Sequence, residues 1–282
     1  VNLKKEKIMK NYCYNISEIT SVEEAKVSVT CNAFQFGEGV FTVVKIEDGK
    51  CLFLDDHITR ISSHAQFLSL VPPKIERKTI EELIKKNHAN SGFWKMRMVI
   101  IRGMDLNSQL IITMEKVPST DQHKEVSLCV YPYPIITPIS KIKTLSYMPR
   151  YFIHEYATKK GFDDCISLDE KGNVLEVSRA NIFWIHEKKF YYPRETLSYM
   201  KGVTLCYLIN AAKDLGYEIK QISEKIENIP KQAQVFISST LKDFWPVVFI
   251  EKQKFSRNEI VEKQLLFAFN KYKEKESINP TV

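Results

Sequence analysis

Phe-Asp-Asp-Cys-Ile-Ser-Leu-Asp-Glu-Lys-Gly-Asn-Val-Leu-Glu-Val-Ser-Arg-Ala-Asn-Ile-Phe-Trp, from Phe162 to Trp184, decides how the rest of this chain is read. Cys165, Ile166 and Leu168 form a short apolar run. Asp169–Asn173 is a cluster of turn formers around Gly172, and Val174 to Ile185 resumes an apolar, strand-like pattern. The whole is expected to be a β-hairpin. In its second arm Glu176 stands between Leu175 and Val177. A Glu in a strand ordinarily faces solvent. Buried among such neighbours it needs a partner, because an unpaired buried carboxylate is costly.

Toward the C-terminus come Tyr192-Pro193 and then Lys201-Gly202-Val203-Thr204, which lead into an apolar helix, Leu205–Leu215, stopped by Gly216. The free N–H groups of Val203 and Thr204 and the helix dipole make an anion site, although an ordinary capped helix offers as much. Gln234–Ser238 reads as a buried strand running into Ser238-Ser239-Thr240-Leu241. Phe244–Ile250 reads as a last strand and Asn258–Lys273 as a C-terminal helix. Toward the N-terminus, Pro149–Lys160 reads as a helix preceded by Ile142-Lys143-Thr144-Leu145-Ser146-Tyr147. Lys141 and Lys143 would share a face of a strand, so spacing leaves both open, and a surface lysine is the ordinary outcome.

In the N-terminal half, Ala33–Asp48 carries Gly37 and Gly39 on either side of Glu38, a sign of tight backbone at a strand start or beside a ligand. Phe41, Val43 and Lys45 then alternate with Val40, Thr42, Val44 and Ile46. Asp48-Gly49 signals a hairpin turn, and Cys51–Leu54 is the returning strand. Tyr12–Glu18 and Lys26–Val29 read as short strands. Asp55 or Asp56 is placed to cap a helix carrying His57, Arg60 and His64 on one face. Ile75–Asn87 is an amphipathic helix. Trp94–Ile101 alternates strictly, with Met96, Met98 and Ile100 on one face and Lys95, Arg97, Val99 and Ile101 on the other. Arg97, and Arg102 at the strand's end, are candidates to take an anion, Arg97 slightly the better placed. Leu110–Met114 is the next strand. The polar, Pro-containing stretch Lys116–Lys124 supplies a linker at 119–124, between a smaller first domain at 1–118 and a larger second at 125–282 that opens with strand Val126–Tyr131.

The chain has 282 residues, 44% hydrophobic and 27% charged, ordinary values for a globular protein with a sizeable core. No apolar run reaches membrane-spanning length, and residues 1–10 are a polar leader without the apolar core of a signal peptide. The net charge of +7 comes from scattered lysines, which reads as a solvated surface and not as a nucleic-acid patch. The six cysteines show no Cys-x-x-Cys and no metal-ligand spacing, as expected of small buried hydrophobes in a reducing, cytoplasmic setting.

Glu176-x-x-x-x-Asn181-x-Phe183, Tyr192-Pro193 and Lys201-Gly202-Val203-Thr204 together resemble the class IV aminotransferase family. These are pyridoxal 5'-phosphate (PLP) enzymes of fold type IV: branched-chain and D-amino-acid aminotransferases and aminodeoxychorismate lyases. The resemblance implies an α/β (α+β) protein of two domains, each with a mixed sheet and helices, the cofactor at the domain interface, and a homodimer. By its register Lys143 is the Schiff-base lysine, with Ser146 where the family usually has Asn. Glu176 holds the pyridine nitrogen. Arg60, Val203, Thr204, Ser239 and Thr240 hold the phosphate, where a bidentate Arg suits an anion. Phe41, Thr42, Arg97 and Arg102 are candidates for the substrate, and no metal is expected.

The resemblance is divided on the reaction. Thr42, the run Met-Arg-Met-Val-Ile-Ile-Arg-Gly and Phe183-Trp184 look like the lyases, which release pyruvate. Ser-Ser-Thr at 238–240 looks like the aminotransferases. The Arg-x-His pair of D-amino-acid aminotransferases is absent after Gly103. An aminotransferase acting between a small amino acid and a 2-oxo acid is the reading adopted. The lyase is the alternative, and a non-catalytic PLP-binding relative is a third.

Overall fold

The computed structural model describes residues 11–103, 107–119, 124–135 and 137–278. Its contacts divide the chain into two compact units, one running to Ser119 and including the chain from Ser277, the other Thr120–Glu276. The polar leader at 1–10 and most of the expected linker, 120–123, lie outside the described residues.

Alternation builds the first unit. It runs β1 (Tyr12–Asn15), β2 (Glu18–Ser21), α1 (Asn32–Phe36), β3 (Gly39–Glu47), β4 (Lys50–Leu52), α2 (Leu54–Phe67), α3 (Arg77–Lys86), β5 (Phe93–Arg102) and β6 (Ser108–Val117). On β3, Val40, Thr42, Val44 and Ile46 are fully buried, and α2 packs on this strand with Leu54, His57, Ile61 and Ala65 buried. On β5, Met96, Met98 and Ile100 are buried, while Lys95, Arg97 and Val99 are half-exposed, as the period of two requires; Ile101, the last residue of that second face, is buried instead. Asp48 (φ 47) and Gly49 (φ 80) make the tight turn between β3 and β4, both with the positive φ that such hairpins need.

Local details differ from expectation. The first strand stops at Asn15 and reverses at Ile16 (φ 67) into β2, and residues 26–29 are not a strand. Asn and Ser favour that reversal. Residues 32–36 form the short helix α1, closed by Gly37 in the left-handed region (φ 71), so Gly37 ends a helix before Gly39 begins β3. Neither Asp55 nor Asp56 caps α2. The cap position is Phe53, both aspartates lie in the first turn, and Asp55 pairs with Arg77 at 2.6 Å.

The second unit runs β7 (Val126–Val130), α4 (Met148–Lys159), β8 (Asp164–Leu168), β9 (Val174–Val177), β10 (Asn181–His186), β11 (Lys189–Pro193), α5 (Val203–Asp214), β12 (Glu218–Ile222), β13 (Gln234–Ser239), β14 (Asp243–Ile250), β15 (Gln253–Lys254) and α6 (Glu259–Glu276). Its strands order β12-β11-β10-β13-β14-β7-β8-β9, with β15 on β14. The hairpin of β8 and β9 forms as read, Ile166 opposite Val177. The expected single strand 174–185 is broken, however. Residues 178–180 turn the chain away from β8, and β10 pairs with β11 and β13 instead. The N–H of Val174 donates to Glu224 O at 2.8 Å, which ties β9 to the segment after β12 and draws the two edges of the sheet together. Inside lie Val126, Leu128, Ile166, Val177, Ile182, Trp184, Val235 and Ile237. On the alternate positions Phe183 stacks on Phe190 and Phe236 (4.6 and 5.1 Å), and α5 packs on β12 and β13.

Finally β16 (Ser277–Ile278) pairs with β4 and so extends the first unit's sheet, whose order is β16-β4-β3-β5-β6-β1-β2. No helix among the described residues is long and apolar enough to cross a membrane.

Candidate active site

In the second unit the break after β9 sets the geometry. Glu176 is 5% exposed, and Arg150 in the first turn of α4 provides the partner that such a carboxylate needs. Arg150 Nη2 donates to Glu176 Oε1 at 2.6 Å, and its Nη1 donates to the Ser178 carbonyl at 3.3 Å. The Met200 N–H also donates to Glu176 Oε1, at 3.3 Å. Burial works to lower the ionisation range of Arg150, but the Glu176 carboxylate beside it raises it above the usual arginine value. The Tyr147 ring neighbours both Arg150 and Lys143. The Lys143 Nζ is 5.6 Å from the centroid of its ring and the Arg150 guanidinium carbon 5.9 Å. Burial pushes the Tyr147 hydroxyl up. Residues 138–143 are turn and coil, so the two lysines do not share a strand face. Lys141 Nζ instead donates to the Glu195 carbonyl at 2.6 Å.

Asn181, the first residue of β10, fastens the start of α5. Its Nδ2 donates to Met200 O at 2.7 Å and its Oδ1 accepts from the Gly202 N–H at 2.8 Å. A Cβ on Gly202 would stand 2.6 Å from that Oδ1, so only glycine permits the approach. Gly202 is the cap position of α5, and no side chain caps the helix. The first-turn N–H groups of Val203 and Thr204, both buried residues, therefore have no intrahelical acceptor. Asn181 faces Ser238 across the ladder, so the end of β13, with Ser239 and Thr240 half-exposed, lies beside the same loop. The buried hydroxyls of Ser178 and Ser238 have no hydrogen-bond partner among the described residues. An amine, a buried carboxylate, helix-terminal amides and unpartnered hydroxyls are the donor set that a phosphorylated pyridine aldehyde requires.

The first unit places its candidates on different faces. Arg60 Nη2 donates to Thr42 Oγ1 at 2.7 Å and lies 3.2 Å from His57 Nδ1, while Thr42 Oγ1 and His57 Nδ1 are 2.9 Å apart. Because Arg only donates, the Thr42 hydroxyl proton is free to reach His57 Nδ1, which puts the imidazole proton on Nε2. Thr42 is 0% exposed. The expectation that Thr42 touches the substrate is therefore replaced: its hydroxyl is occupied in fixing Arg60. Phe41 and Arg97 share the opposite face, the Arg97 guanidinium 3.7 Å from the centroid of the Phe41 ring. Arg102 is committed internally. Its Nε donates to Glu38 Oε1 at 2.6 Å and its Nη2 to the carbonyls of Leu68 and Ser69, both at 3.2 Å. That bond from Arg102 holds the Glu38 carboxyl below the usual range. A guanidinium so occupied is a tether for the Gly37–Gly39 turn, not an open anion receptor.

Sequence reasoning missed Arg150. The available signal was weak: a basic residue one helical turn after Tyr147, just behind Pro149 in the first turn of α4. It also missed the two-sided clamp of Asn181, although Asn181 stood in the motif.

The sequence profile of the family described as Amino-transferase class IV matches residues 39–250. A Methanocaldococcus jannaschii protein named as a branched-chain-amino-acid aminotransferase is 25% identical over 255 residues, 85% of this chain and 88% of that protein. A D-alanine aminotransferase of Listeria monocytogenes is 24% identical over 245 residues, 81% and 84% of the two chains. Among solved structures, the branched-chain aminotransferase of Thermoproteus uzoniensis with norvaline superposes with a TM-score of 0.84 at 23% identity, covering 95% of this chain and 96% of that one. The branched-chain amino acid aminotransferase from Escherichia coli gives 0.84 at 22% identity, covering 97% of each chain. These two structures share the fold type IV architecture with this chain.

Proposed function

The chain belongs to the class IV aminotransferase family, and from that membership we propose a PLP-dependent aminotransferase that moves an amino group between a small amino acid and a 2-oxo acid. The observation that carries this reading is the row Lys143, Tyr147, Arg150, Glu176 in the second unit, which sets an amine and a buried, partnered carboxylate along one short path. Lys143 Nζ is the amine that would hold the aldehyde carbon of the cofactor, and it is the base that would move the proton at the substrate Cα. Glu176 would accept from the ring nitrogen. The N–H groups of Val203 and Thr204, with Ser239 and Thr240, would hold the phosphate, and Arg60 is proposed as a phosphate ligand on the family resemblance alone. The cofactor, when bound, supplies an electron-withdrawing ring that stabilises charge at Cα. Phe41 and Arg97 are the substrate-facing candidates that remain. On the same family grounds we propose a cytoplasmic homodimer, which six cysteines outside any disulfide fit.

The experiment is borohydride reduction of the yellow protein followed by peptide mapping, with an amino-donor screen. The pyridoxyl group is expected on Lys143, with exchange between leucine, glutamate or alanine and 2-oxo acids. Label on Lys141, or none, overturns the register. Pyruvate released from aminodeoxychorismate without amino exchange would establish the lyase reading. That reading is weakened by the burial of Thr42, one of the residues on which it rested.

A further inference from the structure

We propose that Arg150 is a positioning residue for Glu176, its guanidinium occupying Oε1 so that Oε2 is the atom left to meet the ring nitrogen of the cofactor. The proposal rests on the reading of the second unit as a PLP site. Both hydrogen bonds to the Glu176 carboxylate end on Oε1, from Arg150 Nη2 (2.6 Å) and from the Met200 N–H (3.3 Å). No described residue donates to Oε2. A carboxylate has lone pairs on both oxygens, and one held by two donors on a single oxygen presents the other in a defined direction. Neither donor is loose. Arg150 is anchored a second time on the Ser178 carbonyl, in the turn where the chain leaves β9. Met200 is fastened through its own carbonyl by Asn181. The guanidinium fork thus links α4, the end of β9 and the following turn, a geometry that the single ammonium of a lysine cannot reproduce. Arg150 also offsets the penalty of burying the Glu176 charge, which is 5% exposed. The pairing spans 26 residues of sequence, and Lys143 lies seven residues before Arg150 on the same segment. One short stretch of chain therefore supplies both the cofactor lysine and the residue that aims the carboxylate.

The test compares wild type, Arg150→Met, Arg150→Lys, Glu176→Gln and the double variant Arg150→Met/Glu176→Gln, each reconstituted with PLP. The reading is the pH midpoint at which the visible absorbance of the bound cofactor changes. Glu176→Gln is expected to raise the midpoint, because the ring nitrogen loses its anionic partner. Arg150→Met should move it the same way by about one pH unit. Arg150→Lys should fall between wild type and Arg150→Met, and the double variant should go no further than Glu176→Gln alone. A wild-type midpoint in Arg150→Met, even with a lower urea midpoint, would make Arg150 a merely structural residue and overturn the proposal. So would a double variant whose shift is the sum of the two singles. Should Arg150→Met fail to fold, Arg150→Lys decides alone: a displaced midpoint supports the proposal and a wild-type midpoint refutes it. If wild type takes up no PLP, the cofactor reading itself falls and Arg150 with it. If wild type is labelled at Lys143 but the Arg150 variants titrate normally, only the role of Arg150 is lost.

Discussion

Replacing Thr42 with Val separates two accounts of the same residue. The family resemblance makes Thr42 a candidate for the substrate, whereas the structure buries it and uses its hydroxyl to hold Arg60 at 2.7 Å and to face His57 Nδ1 at 2.9 Å. Val keeps the shape of Thr and removes only the polar atom. A hydrogen bond to a charged group contributes about 1.5–3 kcal/mol. Part of that is recovered, since Arg60 Nη2 stays 3.2 Å from His57 Nδ1 and the new methyl group is buried where a hydroxyl was. A net loss of about 1–2 kcal/mol is expected, which corresponds to about five- to thirty-fold in an equilibrium constant. Urea denaturation of the cofactor-free protein should show this as a lower midpoint with an unchanged slope. PLP titration should show weaker binding within that range, because Arg60 is less well aimed. Amino-donor kinetics at saturating PLP should stay within about twofold of wild type, since Thr42 has no exposed surface to offer a substrate. An unchanged urea midpoint and PLP affinity, with a raised KM for the amino donor, would refute this reasoning and return Thr42 to the substrate pocket.

Glu176→Gln should retain PLP but slow exchange of the substrate Cα proton by orders of magnitude, because an amide does not support a protonated ring nitrogen; near-normal deuterium exchange by NMR would show Glu176 to be an ordinary strand residue. Gly202→Ala should lower the urea stability by about 1–3 kcal/mol, because the new Cβ meets Asn181 Oδ1 at 2.6 Å and Asn181 is held on both sides; wild-type stability would mean that the loop shifts freely. For Arg102→Gln the sign follows from Glu38, whose carboxyl is held low chiefly by the hydrogen bond from Arg102. The stabilisation is complete above the unfolded value of about 4.3 and is lost as the pH falls through the lowered folded value. Urea midpoints between about pH 6 and about pH 3 should therefore fall less steeply in the variant than in wild type, and an identical acid limb would contradict the pairing.

Local rules account for the elements that neighbouring residues build among themselves. The hairpin of β8 and β9 follows from a turn cluster between apolar runs. The two faces of β5 follow from a period of two, the β3–β4 turn from Asp48-Gly49, and the end of α5 from Gly216 (φ 77). Several motifs together were enough for the family, because each required its own residues at its own spacing. The tertiary structure alone decided who partners whom. Nothing local shows that Val174 to Ile185 is cut at 178–180, because that break exists only so that β9 and β10 can serve different neighbours. Periodicity set Thr42 opposite Phe41 but could not say which face is covered by α2 and which meets Arg97. The commitment of Arg102 to Glu38 spans 64 residues, and that of Arg150 to Glu176 spans 26. Local propensity acts over a few neighbouring residues, whereas a buried charge finds its counter-charge wherever folding brings one, so these pairings are properties of the packed chain.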